Sequence, residues 1–362
     1  MSRDIKIVRN QHSTLNQVDF NNIPFGKVFS DHMFVADYEN GEWADFRIVP
    51  TKEFSVHPAN LAWHYGQSIF EGMKASKNQE GEPLLYRPDK HIARFNKSAV
   101  RMSMPEFPED VFSTALKMLV EIDKDWVPTQ ESSSLYIRPF MIASENHIGV
   151  RPSKKYKMVI ITLPVGPYYD KPLSLLVQTK YIRAVEGGVG FAKTAGNYAA
   201  AMYPTRLANE AGFDQIVWME PKEFKYVQEV GTMNIFFVLK DKIVTPMTSG
   251  AVLEGITRDS VIHILKSKGY NIVEEKVSIA DIYQAYLNGE LIEVFGSGTA
   301  AVIINVNKIR YGNNDMLFDL SNIQISSMLK ETITDIRTGR SEDVWNWTEN
   351  TSGALKEVES FS

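Results

Sequence analysis

The chain has 362 residues, 44% of them hydrophobic and 23% charged, with a formal net charge of -5 and no cysteine. That length exceeds one ordinary core, so two domains are expected, and the balance is that of a soluble globular protein. The negative charge argues against a nucleic-acid partner, and the missing cysteines exclude disulfides, thiolate catalysis and thiolate metal sites; no metal is expected.

Met1-Ser2-Arg3-Asp4-Ile5 carries no apolar signal region, and no apolar run approaches a membrane span, so a cytoplasmic protein without a membrane partner is expected. Residues 1–20 read as a polar arm. Strands are predicted between Phe25 and Val49, turning at Asn40-Gly41. Leu61 to Ala75 is a mixed apolar stretch, and Pro83 to Arg87 a short strand. Pro88-Asp89 opens a helix to about Met102, with Ile92, Phe95 and Val100 expected inward. A second helix follows Pro108, its set Val111, Phe112, Ala115, Leu116, Leu119 and Ile122 having a 3.6-residue period. Ser134–Ala143 and Tyr156–Leu163 read as strands. Pro164-Val165-Gly166-Pro167 and the residues to Pro172 break the pattern.

Beyond the break, strands are predicted at 173–179, 215–219, 225–230, 234–239, 272–277, 291–295 and 300–306. Helices are predicted at 197–211, 257–268, from the Ser278 cap to Leu287, and at 321–338. The mixture of hairpins and helices favours α+β, and the expected domains are 1–165, a linker at 166–176, and a larger domain at 177–362.

The stretch Gly190-Phe191-Ala192-Lys193-Thr194-Ala195-Gly196-Asn197-Tyr198 places one lysine in a glycine-edged turn before a helix. Read alone, Lys193 is either an exposed loop lysine or a Schiff-base lysine holding an aldehyde cofactor. Gly255-Ile256-Thr257-Arg258, at a helix start, and Gly296-Ser297-Gly298-Thr299 both suit an anion, although glycine turns are usually only turns. Glu229 ends an apolar strand, either facing solvent or partnered. Phe25, Trp63, Tyr65, Phe70, Tyr136, Trp218 and Phe295 are core aromatics or pocket walls.

Three further stretches carry a resemblance: His64 through Phe70-Glu71-Gly72 to Ala75, Ser134-Leu135-Tyr136-Ile137-Arg138-Pro139, and Glu293-Val294-Phe295-Gly296-Ser297-Gly298-Thr299-Ala300. With the Lys193 turn and Glu229-Val230-Gly231-Thr232-Met233-Asn234, they resemble the branched-chain amino acid aminotransferases, in the longer type that includes the animal enzymes. The likeness runs from about Phe25 to the last helix. It implies a fold-type IV, D-amino-acid-aminotransferase-like enzyme of two α/β domains that uses pyridoxal 5'-phosphate and forms a homodimer. It would move the amino group of L-leucine, L-isoleucine or L-valine to 2-oxoglutarate, giving L-glutamate. By that likeness Lys193 is the Schiff-base lysine and proton shuttle. Tyr198 meets the ring hydroxyl, Glu229 the pyridine nitrogen, and Arg94, Ile256, Thr257 and Thr299 the phosphate. Thr232 serves cofactor and substrate. Phe25, Tyr65, Phe70 and Tyr136 form the side-chain pocket, Thr299 and Ala300 face the substrate, and Arg138 and Lys74 order the entrance. Ile148 and Val150 reach a partner subunit's pocket. Ala301 and Ile304 stand where some animal members carry a cysteine pair. The alternatives are a D-amino-acid aminotransferase or aminodeoxychorismate lyase of the same fold, or a non-catalytic cofactor-binding protein.

Overall fold

A computed structural model describes residues 4–169 and 171–355. Asp170, inside the expected linker, and the two chain ends lie outside the described residues. Residues up to Tyr168, together with those from Thr334 onward, form one compact unit; Tyr169–Ile333 forms the other.

The first unit carries β1 (Lys6–Ile7), β2 (His32–Glu39), β3 (Glu42–Pro50), α1 (Leu61–Tyr65), β4 (Ser68–Phe70), β5 (Met73–Lys77), β6 (Pro83–Tyr86), α2 (Pro88–Arg101), α3 (Glu109–Ile122), β7 (Ser134–Ala143) and β8 (Tyr156–Val165). Asn40 and Gly41, with φ of 57° and 89°, make the left-handed two-residue turn that the β2–β3 hairpin requires. The sheet runs β1-β3-β2-β8-β7-β5-β6 and is closed at its far edge by a strand from the chain's last residues, with β4 pairing β7. Pro88 starts α2 behind a left-handed Arg87, and α2 buries His91, Ile92, Phe95 and Ala99. Val100, expected inward, is 60% exposed: five residues beyond Phe95 is well past one 3.6-residue turn, so Ala99 takes the inward position. α3 buries Val111, Phe112, Ala115, Leu116 and Leu119 as its period predicts. The Phe95 and Phe112 rings meet edge to face at 5.3 Å within the core under this sheet.

The second unit carries β9 (Leu173–Val177), α4 (Ala195–Glu210), β10 (Gln215–Met219), β11 (Tyr226–Val230), β12 (Asn234–Leu239), β13 (Ile243–Pro246), α5 (Ile256–Ser267), β14 (Ile272–Glu275), β15 (Val277–Ser278), α6 (Ile279–Leu287), β16 (Leu291–Gly298), β17 (Val302–Tyr311) and β18 (Asn314–Leu317). Its sheet runs β14-β13-β12-β16-β17-β9-β10-β11-β15, with β18 on β17. β9 lies parallel to β10 and β17, whereas β12 and β16 are antiparallel. Phe236 and Phe295 face each other there, stacked at 5.0 Å. Mixed sheets with helices make the chain α+β, as expected.

The stretch expected as a linker contains the start of β9. The tail expected in the larger domain packs instead with the first unit: after α7 (Ile325–Arg337), β19 (Thr348–Asn350) pairs β6, and Arg337 Nη2 donates to Ser76 Oγ at 3.1 Å. Neither β13 nor β19 is visible in the sequence pattern. Each is four residues or fewer, too short for an alternation to register.

Candidate active site

Lys193 sits two residues ahead of α4, whose N-cap is Thr194. Asn197, in the first turn, donates from Nδ2 to the carbonyls of Val189 and Ala192, both at 2.9 Å, which ties the turn to the helix start. The next residue on that turn is Tyr198. Lys193 Nζ donates to its hydroxyl at 2.8 Å.

Glu229 is 4% exposed near the end of β11. Its Oε1 accepts the Leu253 N–H at 2.6 Å, and its Oε2 lies 3.2 Å from Arg183 Nε, close enough for an ion pair but not aligned as a hydrogen bond. Arg183 Nη2 donates in turn to the Ala251 carbonyl. A buried carboxylate flanked by a guanidinium and a backbone N–H is compensated. Lys193, Tyr198, Asn197, Glu229, Thr232 and Arg183 all line one cleft.

The two anion-suited turns converge on Asn234, the first residue of β12. Asn234 pairs with Ser297 across β12–β16, and its Nδ2 donates to the Leu253 carbonyl at 3.0 Å, just ahead of α5. Gly255 packs so closely on the Asn234 side chain that a Cβ would collide with it. Ile256 and Thr257, both buried, open α5, where backbone N–H groups lack intrahelical partners. Ser297 Oγ is buried without a partner. An orphaned hydroxyl and a helix N-terminus on one residue suit a phosphate, and a carboxylate with a nearby lysine and tyrosine suits a pyridine aldehyde. The residues present therefore fit pyridoxal phosphate.

In the first unit, Arg94 is held by a residue to which the sequence reading assigned no role. Glu71, 0% exposed, takes Arg94 Nε at 2.7 Å and Nη2 at 2.9 Å, and His91 Nδ1 lies 2.8 Å from its Oε2. Burial alone would raise the Glu71 carboxyl, but Arg94 and His91 outweigh it and hold it well below the usual carboxylate range. On the same unit, Arg138 lies over the rings of Phe70 and Tyr136 at 4.6 and 5.2 Å and donates to the Tyr136 hydroxyl at 3.0 Å. Phe25 meets Tyr136 edge to face at 5.6 Å. Phe25, Phe70, Tyr136 and Arg138 thus form one cluster. Lys74 is buried; burial first, then the Arg337 charge, push its amine well below the ordinary lysine range. Tyr65, Ile148 and Val150 are exposed, Val150 at 89%.

Gly72 lies against the Tyr136 hydroxyl, leaving no room for a Cβ. Gly72→Ala is therefore expected to destabilise by about 1–3 kcal/mol through overpacking. It should also displace the Tyr136–Arg138 pair, raising substrate KM more than it lowers kcat. A thermal melt and a steady-state titration check both, and an unchanged KM would show that Tyr136 does not face substrate.

Of the residues expected from sequence, Lys193, Tyr198, Glu229 and Thr232 share the cleft. Ile256, Thr257, Thr299 and Ala300 lie at the α5 start and after β16. Glu71, His91, Arg183, Asn197 and Asn234 were missed. The available signal was a charged residue inside an apolar motif, Phe70-Glu71-Gly72, with His91-Ile92-Ala93-Arg94 downstream; Asn234 closes the Glu229–Asn234 motif without a role of its own, and Arg183 left no local signal.

The amino-transferase class IV family matches residues 68–309. A Bacillus subtilis protein named branched-chain-amino-acid transaminase 1 is 48% identical over 336 residues, covering 91% of this chain and 94% of that one. A Staphylococcus epidermidis protein named probable branched-chain-amino-acid aminotransferase is 45% identical over 353 residues, covering 96% and 98%. Among solved structures, a branched-chain amino acid aminotransferase from T.th., complexed with N-(5'-phosphopyridoxyl)-L-glutamate, superposes with a TM-score of 0.71 at 27% identity, covering 88% of this chain and 98% of that one. On that span of similarity the chain belongs to the amino-transferase class IV family and, within it, to the branched-chain-amino-acid aminotransferases.

Proposed function

We propose that the chain is a pyridoxal-phosphate-dependent transaminase that moves the amino group of L-leucine, L-isoleucine or L-valine to 2-oxoglutarate, reversibly, giving the branched 2-oxo acid and L-glutamate. The observation that carries this is Lys193 Nζ bonded to Tyr198 in a cleft also lined by Glu229. Relatives at 45–48% identity named for this activity support it. When bound, the cofactor supplies the electron sink for charge at the substrate Cα. Lys193 would hold it and would carry the Cα proton; a lysine amine is suited to both tasks. Glu229, compensated by Arg183, would supply the carboxylate for the ring nitrogen. The Asn234-centred donors would hold the phosphate, and Arg94 is a further candidate for it on the family likeness.

Phe25, Phe70, Tyr136 and Tyr65 offer an apolar wall that separates the three branched side chains only weakly, since one methylene is worth about 1–3 kcal/mol. Arg138 and the Tyr136 hydroxyl are the polar groups able to take the second substrate's side-chain carboxylate. We read the enzyme as a cytoplasmic homodimer, with exposed Ile148 and Val150 contributing to the partner's pocket. No described helix is long and apolar enough to cross a membrane.

The test is a half-reaction panel on the loaded enzyme, following the visible cofactor band as L-Leu, L-Ile, L-Val, L-Glu, L-Phe, L-Met or D-Ala is added. The first four are expected to discharge the band fastest. A response to D-Ala without one to L-Leu would sink the proposal in favour of a D-specific enzyme of the same fold.

A further inference from the structure

A second cavity, of about 500 Å³, lies within the second unit. Small-molecule sites span about 300–1,000 Å³. It forms where the turn between β10 and β11 meets the ends of β13 and β14 and the Val185-Glu186 segment.

Its charges are arranged unevenly. Lys225 and Lys276 place their ammonium groups 5.2 and 5.8 Å from the centre of one ring, that of Tyr226. An aromatic face attracts cations, so the Tyr226 ring keeps both ammonium groups near it. Neither lysine has an ion-pair partner among the described residues. Of the four carboxylates that line the cavity, two are engaged by other groups. Glu220 accepts the backbone N–H groups of Lys222, Glu223 and Lys225 at 2.7, 2.9 and 3.1 Å, and Glu275 accepts Lys242 Nζ at 3.0 Å. Glu186 and Glu223 are exposed. Met247 and Val185, 44% and 43% exposed, line the same space.

Gln228, also in the lining, is 7% exposed, and its Oε1 has no partner. A donor that enters and turns this carboxamide supplies a hydrogen bond the protein alone does not make. The position also matters. Gln228 precedes Glu229, Val252 precedes Leu253, and Val185 follows Arg183 by two residues. The cavity therefore touches all three segments that hold the Glu229 carboxylate.

We propose that this cavity binds a small aliphatic carboxylate bearing a hydrogen-bond donor. The carboxylate lies at Lys225 and Lys276, the aliphatic body on Met247 and Val185, and the donor at Gln228. The site is separate from the Lys193 cleft, and its test does not depend on transamination.

The probe is N-acetyl-L-leucine, which has all three elements and whose acylated nitrogen cannot be transferred. Calorimetric titration of the cofactor-loaded enzyme is expected to show one saturable site per chain, weakening as salt rises. Lys225→Gln with Lys276→Gln should raise Kd about tenfold while leaving transamination unchanged. Gln228→Leu should weaken binding as well, and Arg138→Met should leave it untouched. The proposal is overturned if no saturable binding occurs, if the double variant binds like the wild type, or if Arg138→Met abolishes binding, which would place the probe in the substrate pocket.

Discussion

Lys193→Ala is expected to lower turnover of leucine with 2-oxoglutarate by about 10⁴-fold or more, because one amine both holds the cofactor and transfers the proton. Loaded wild-type protein should be yellow, and the variant should lose the absorption band that reports a lysine-bound cofactor. The fold should survive. Lys193 is only partly buried, and the turn around it is tied by Asn197 and backbone bonds that the substitution leaves in place. Added methylamine should restore a fraction of the rate by standing in for the missing amine. A Lys193→Ala protein with full turnover would show that the cleft at the start of α4 is not where transfer occurs.

Glu71→Gln is expected to have the larger structural effect. It removes the charge that compensates Arg94 inside the first unit, where both side chains are almost wholly buried. Breaking a buried pair from one side costs about 3–5 kcal/mol. For a unit of the size of the first that lowers its melting temperature by roughly 6–20 °C. The sign with pH follows from the depressed Glu71 carboxyl. Its stabilisation is complete above the ordinary glutamate value of about 4.3 and is lost as pH falls through the lower folded-state value. The gap between wild type and variant should therefore be constant from neutrality to about pH 5 and close under more acid conditions. Denaturant melts at pH 7 and pH 3 check this, and equal stability at pH 7 would refute it. If Arg94 holds the phosphate as proposed, the variant should also bind pyridoxal phosphate more weakly, with a smaller loss for pyridoxal, which lacks the phosphate.

What was legible in the sequence follows a physical divide. Helices with a clean 3.6-residue set, such as α3, could be read residue by residue, and so could the Asn40-Gly41 hairpin, whose turn chemistry is local. Lys193 and Tyr198 stood out as a pair because five residues separate them on one turn, but their roles came from the resemblance. Arg183, Asn234 and Glu71 were not legible, because each acts on a partner 20 or more residues away or through backbone carbonyls. Asn234 does its work through strand pairing with Ser297 and a bond to the Leu253 carbonyl, neither of which depends on a motif. Val100 faces out because the inward line of α2 runs through Phe95 and Ala99, which the apolar character of Val100 alone does not reveal. The resemblance likewise supplied the roles of Glu229 and Arg94, but not the neighbours that hold them.

The return of β19 to the first unit bears on how the chain is made. The first unit's sheet ends at β6 until Thr348–Asn350 arrives to pair with Leu84, Leu85 and Tyr86, and Thr351 then bonds Glu121 on α3 at 3.2 Å. The intervening unit is continuous and can fold as it leaves the ribosome. The earlier unit must wait for it with one edge strand uncovered. At about 5–20 residues per second that interval is roughly 10–40 s. An exposed strand edge during that time is a template for pairing with another nascent chain. A chain cut after Tyr168 would keep that edge permanently, so its expected fate is aggregation rather than an isolated first domain.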